Sequence, residues 1–156
     1  MRLHIVAMGR VRAGPERALI DDYVQRADRT GRALSLGPVQ EHELDDRKAT
    51  TMAEQGRALL RAIPVGAQVV AMDERGTLLS SRAFAQMLEQ VRDGGAGDLA
   101  FVIGGADGLD PSVRDRADRL LSFGPMVWPH MLARVMLAEQ LYRATSILAG
   151  APYHRD

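Results

Sequence analysis

Apolar positions along this chain fall into two rhythms that alternate from end to end. Short continuous runs at residues 3–8, 68–72, 100–103 and 120–123 have the length and composition of buried strands. Between them the apolar positions recur at helical spacing. Leu19, Ile20, Tyr23, Val24 and Ala27 make one stripe over residues 15–29, with Pro15 suited to the first turn. Met52, Leu59, Leu60 and Ile63 predict the inward face of a helix over 46–63, stopped by Pro64-Val65-Gly66. Ser80 or Ser81 caps a third helix running to Asp93, with Phe84, Met87, Leu88 and Val91 inward. A short helix starts at Pro111, and a long one spans about 131–149. Residues 33–36 predict a further short strand, followed by Gly37-Pro38 and a polar stretch; residues 73–76 predict the exit loop of the strand at 68–72. Strands alternating with helices give an α/β fold, a parallel sheet with helices on both faces, in a single domain over 1–156.

The long last helix changes this picture. Leu132, Val135, Met136, Leu141, Ile147 and Leu148 cover more than one stripe, so it is buried on more than one side. The second side is either its own domain or a partner subunit. Composition adds exclusions. With no cysteine there is neither a disulfide framework nor a thiolate metal site. No apolar run approaches a membrane span, and residues 1–8 are too short for a secretory leader, so a cytoplasmic protein is expected. The 20 basic and 20 acidic residues cancel, which gives no overall attraction to nucleic acid. A local patch remains open to Arg114, Arg116, Arg119, Arg134, Arg143 and Arg155, all in the last third.

Candidate chemistry concentrates in that same third. Gly104-Gly105-Ala106-Asp107-Gly108 follows a strand and precedes a helix, as a plain turn or as a close approach of backbone to a ligand. It has neither the spacing of a dinucleotide fingerprint nor the ending of a P-loop. Phe123 to Trp128 offers apolar side chains and available backbone groups. Such a segment either holds an adenine or packs into the core. The four histidines, His4, His42, His130 and His154, share no metal-ligand spacing, so no metal is expected. His4 is expected to be structural, His42 a solvated loop residue and His130 an orienting group beside the apolar loop. Glu139 and Arg143 are an i,i+4 pair, or else Arg143 serves RNA or the tail. Two other classes stay in view, a small nucleotide-binding α/β module and a non-catalytic RNA-binding protein.

Several segments in fixed order carry a resemblance: Leu3-His4-Ile5-Val6-Ala7-Met8-Gly9, Val102-Ile103-Gly104-Gly105, Leu121-Ser122-Phe123, Pro129-His130, Leu141-Tyr142-Arg143-Ala144 and Pro152-Tyr153-His154-Arg155. Together they resemble the RlmH family of bacterial ribosomal large-subunit RNA pseudouridine N3-methyltransferases, of the SPOUT class. That resemblance implies a C-terminal trefoil knot, which no periodicity argument reaches because knots are so rare. It implies S-adenosylmethionine as cofactor, held at Met72, Gly104, Phe123, Gly124, Pro125, Met126, Val127 and Trp128. It implies a homodimer acting on 23S ribosomal RNA in the assembled ribosome. It also places Tyr153, His154 and Arg155, with Arg143, at the reacting end, the tail reaching across the dimer.

Overall fold

The apolar runs pair side by side in a computed structural model that describes residues 1–155. The elements, in chain order, are β1 Arg2–Met8, α1 Pro15–Gly31, β2 Val39–Leu44, α2 Met52–Ala62, β3 Gln68–Leu78, α3 Ser81–Asp93, β4 Asp98–Ile103, α4 Pro111–Arg116, β5 Arg119–Ser122 and α5 His130–Leu148. All strand pairings are parallel, in the order β2-β1-β4-β3-β5. Central strands of such a sheet are covered on both faces and so read as unbroken apolar runs; every residue of β4 is buried. Alternate residues of β1 serve opposite faces. Leu3, Ile5 and Ala7 pack with Phe84, Leu88, Phe101, Leu137 and Leu141 under α3 and α5. Val6 and Met8 pack with Leu59, Val102 and Val113 under α2 and α4. α1 lies against α5, which also packs on α3. The expected layers are therefore present.

Several local expectations are corrected. Residues 33–36 are not a strand; Arg32–Leu34 is a 3-10 turn, and the second strand is the polar stretch after Pro38. β2 is an edge strand, and its polar side chains are held individually rather than by an apolar face: Glu41 and Glu43 by arginines, and His42 by His4. His42 is accordingly a strand residue rather than a loop one. α2 begins at Met52, later than expected, because Thr51 forms a capping box with Glu54: the Thr51 hydroxyl accepts from the Glu54 amide at 3.2 Å and Glu54 Oε2 accepts from the Thr51 amide at 3.0 Å. Met52 in that first turn is exposed, as is Leu19 on α1. Residues 73–76 are not an exit loop. β3 resumes beyond them to Leu78, with both Met72 and Thr77 facing Leu121, so the four residues form a bulge. Gly76 is required there, since a Cβ would lie 2.5 Å from the Leu121 backbone.

His4, on β1, is buried as expected. Its Nε2 lies 2.7 Å from Asp98 Oδ1 and its Nδ1 3.1 Å from His42 Nε2, while Arg2 reaches Asp98 at 2.7 Å. Burial first, then the neighbouring His4, push the His42 imidazole below its ordinary value. The unfolded chain therefore binds a proton there more readily than the folded one. Stability from this group is complete above about pH 6.5 and is lost as pH falls from there through the folded-state value. The urea midpoint is expected to drop between pH 7.5 and 5.5, and to drop less in His42→Gln. Identical pH profiles for the two proteins would contradict this.

Candidate functional site

Because every strand is parallel, the loops that follow them gather at one edge of the sheet, where open α/β sheets bind ligands. Order β4-β3-β5 puts Gly104 and the segment from Phe123 to Trp128 beyond the ends of β4 and β5, with Met72 between them inside β3, just before its bulge. After β4 the chain closes a tight turn. The Gly108 amide donates to Gly105 O at 3.1 Å, Gly108 takes φ 84°, and a Cβ on Gly104 would meet the Gly108 carbonyl. After β5, Ser122 Oγ accepts from the Gly124 amide at 3.1 Å and donates to Gly124 O at 3.2 Å. Gly124 turns the chain at φ 114°. Beyond it Met126, Val127 and Trp128 are 70%, 89% and 40% exposed. The segment is thus not a connection packed into the core. Among the described residues no hydrogen bond uses the amides of Met126, Val127 or Trp128.

The far end of this segment is pinned across the sheet. Arg134, fully buried on α5, donates to Met8 O at 3.1 Å, Gly9 O at 2.9 Å, Glu41 Oε1 at 3.0 Å and Glu43 Oε2 at 2.8 Å. The first turns of α5 thereby sit on the ends of β1 and β2, and the His130 ring lies against Gly9. The chain leaving edge strand β5 must cross the ends of β3 and β4 to get there. In the sequence Arg134 is one candidate for a surface patch. Its spacing to Leu137, Ala138 and Leu141, all buried, was the signal that it faces inward.

The C-terminal tail folds back onto α5 of its own chain. The Tyr153 hydroxyl donates to Glu139 Oε1 at 2.9 Å, its ring lies 4.4 Å from that of Tyr142, and the Arg143 guanidinium sits 4.8 Å over it. Arg143 bonds Glu139 at 2.5 Å and reaches His154 Nδ1 at 3.2 Å. An arginine only donates, so His154 Nδ1 is the acceptor and the neutral ring carries its proton on Nε2. Burial, then the Glu139 carboxylate, hold the Tyr153 phenol well above its ordinary range, so it stays protonated. Arg155 is exposed. A cavity of about 480 Å³ lies between Phe123, at the start of the apolar segment, and Glu139, which anchors the tail: Phe123 and Leu121 line one side, Met136 and Glu139 another, with Leu19 and Tyr23 of α1. Phe123 alone among the eight expected cofactor residues reaches its wall. Among the described residues no group of histidines and acids could hold a metal.

The family model described as "Predicted SPOUT methyltransferase" matches residues 1–154. The chain belongs to this family. Proteins named "Ribosomal RNA large subunit methyltransferase H" match it along their whole length. The one from Roseobacter denitrificans is 62% identical over 156 residues, that from Paracoccus denitrificans 58% and that from Maricaulis maris 54%, each covering 100% of both chains. The crystal structure of a probable methyltransferase from Bordetella pertussis shares the fold at TM-score 0.52 and 14% identity, over 92% of this chain and 96% of that one. As a SPOUT methyltransferase the chain uses S-adenosylmethionine, and membership implies the expected knot.

Pairing corrects the other arginines of the expected patch. In this SPOUT methyltransferase Arg143 is held by Glu139, Arg116 lies 3.5 Å from Asp118, and Arg114 donates to Leu109 O and lies 3.7 Å from Asp73. Of that set Arg116, Arg119 and Arg155 are exposed, and among the described residues Arg119 and Arg155 have no ion pair.

Proposed function

We propose that this chain, acting as one catalytic domain over 1–156, methylates N3 of a pseudouridine in 23S ribosomal RNA. The observation that carries the reading is the cavity between Phe123, where the apolar loop starts, and Glu139, which holds the tail through Tyr153. The names of full-length relatives support ribosomal RNA as substrate. The exposed apolar loop suits the cofactor: Phe123, Met126, Val127 and Trp128 offer walls, and amides without partners offer donors to an adenine. Met72, Gly104, Gly124 and Pro125 complete the backbone cradle. S-adenosylmethionine supplies a methyl group already activated on a sulfonium, so the chain's task is mainly alignment.

The proton on N3 must leave. His154 takes it once its Nδ1 lone pair is released, and the release follows if an RNA phosphate draws Arg143 away. Arg155 binds a neighbouring phosphate, and Tyr153, a protonated phenol, stacks on a base or donates to it. The exposed Leu19, Leu78 and Leu79, with Met131 and Leu132 of α5, are apolar surface that a second copy would cover, which favours a homodimer. No helix among the described residues is long and apolar enough to cross a membrane; a ribosomal RNA substrate favours a cytoplasmic location.

Labelled cofactor supplied with assembled ribosomes or isolated large subunits, both from a strain lacking its own enzyme, tests the substrate. Faster labelling of the assembled particle is expected. Equal labelling of both would overturn the assembled-ribosome preference.

A further inference from the structure

The paired arginines leave open where a net-neutral protein receives RNA. We propose that Arg10, Arg12 and Lys48 form a basic rim on the β1–β2 half of the site edge and bind the RNA phosphates flanking the target base. The proposal rests on the RNA-methyltransferase reading and locates its substrate surface.

A base reaching the cofactor loop must carry its backbone over the edge where the strands end. Most cations there are already engaged. Arg134 is buried on Glu41 and Glu43, Arg17 holds Glu41 at 2.6 Å, and Arg47 grips Asp45 at 2.9 Å. Arg10, Arg12 and Lys48 are exposed, and among the described residues none of them has a carboxylate within ion-pair distance. Of the acids beside them, Asp45 is neutralised by Arg47, while Asp46 lies near Gly9.

The rim is built on fixed backbone. The Gly9 amide donates to Leu44 O at 2.8 Å, and the Val11 amide donates to Glu43 Oε2 at 2.6 Å. Val11 is buried, so Arg10 and Arg12 flank an anchored residue and both reach solvent. Lys48 precedes buried Ala49, and its amide bonds Asp45 O at 3.2 Å. The His130 ring against Gly9 makes this rim continuous with the start of α5 and hence with the apolar loop. With strands about 4.8 Å apart, the rim lies roughly 10–15 Å from β3 across the sheet. That spacing suits phosphates a few nucleotides away from the methylated base.

The test compares the variant Arg10→Ala/Arg12→Ala/Lys48→Ala with Arg29→Ala/Arg32→Ala/Arg61→Ala. The second removes the same charge from exposed positions near the C-terminal ends of α1 and α2, at the opposite edge. Ribosome binding is read by co-sedimentation across a salt series, methyl transfer at saturating ribosomes, and cofactor affinity by calorimetry. The rim variant is expected to bind ribosomes at least 10-fold more weakly, with a salt slope shallower by about 2, since each lost phosphate contact removes about 0.7. Its kcat and cofactor affinity stay within about twofold of the parent, and the control variant binds as the parent does. Equal losses in both variants, no loss in the rim variant, or a matching loss of cofactor affinity would overturn the rim. Failure of the parent chain to methylate ribosomes would overturn the activity reading instead, while the binding comparison would still decide the rim.

Discussion

Arg134→Met is expected to lower the unfolding free energy by about 3–5 kcal/mol, the cost of removing one partner from a buried ion pair. The side chain is fully buried, and methionine fills much of its volume, so the loss is electrostatic rather than a cavity. Glu43 would keep the Val11 amide and a distant Arg17 at 3.8 Å, and Glu41 would keep Arg17 at 2.6 Å. The Met8 and Gly9 carbonyls would lose their donor as well. Because the same arginine pins the start of α5 to β1 and β2, the crossing segment from Phe123 to Pro129 should loosen, and cofactor affinity should fall with stability. Adding Glu41→Gln and Glu43→Gln should restore part of the stability, since the coupling is shared among contacting groups. Urea unfolding measures both, and a loss below about 1 kcal/mol for Arg134→Met would contradict the account.

His154→Ala is expected to slow methyl transfer by about 10²-fold or more, the range for a lost proton acceptor, with cofactor affinity unchanged. Its Nδ1 is engaged by Arg143 in this arrangement, so the acceptor becomes available only after Arg143 changes partner. Arg143→Ala should then weaken ribosome binding and slow transfer together. It removes the phosphate ligand and also leaves Glu139, which the Tyr153 hydroxyl shares, without its cation. Single-turnover rates with ribosomes in excess separate chemistry from binding. Turnover of His154→Ala within twofold of the parent would remove His154 from the chemistry.

Much of the architecture was legible because it is local. The β4 run, Ser80 as a cap, and Pro15 and Pro111 in first helical turns each predicted an element that is present. β2 was not legible. An edge strand stabilised by Arg17, Arg134 and His4 carries charges where an apolar alternation is sought. Nor was the bulge at 73–76, whose polar residues imitate a loop although the strand re-forms against Leu121. At the site, residue types were readable and their partners were not. Arg134 and Arg143 look alike in sequence, yet one holds the fold's crossing segment and the other the tail, a difference set by contacts over 125 and 11 positions. The tail illustrates the same point. Sequence marked Tyr153 and His154, but not that Glu139 and Tyr142 on α5 would seat them within their own chain.

The proposed reaction transfers one methyl group to N3 of a pseudouridine in the large-subunit ribosomal RNA. The most direct measurement is nucleoside mass spectrometry of 23S RNA recovered from ribosomes after incubation with the protein and isotopically labelled S-adenosylmethionine. Label in N3-methylpseudouridine at a single position is the expected result. Label in any other nucleoside, or none in ribosomal RNA while the protein binds the cofactor, would contradict it.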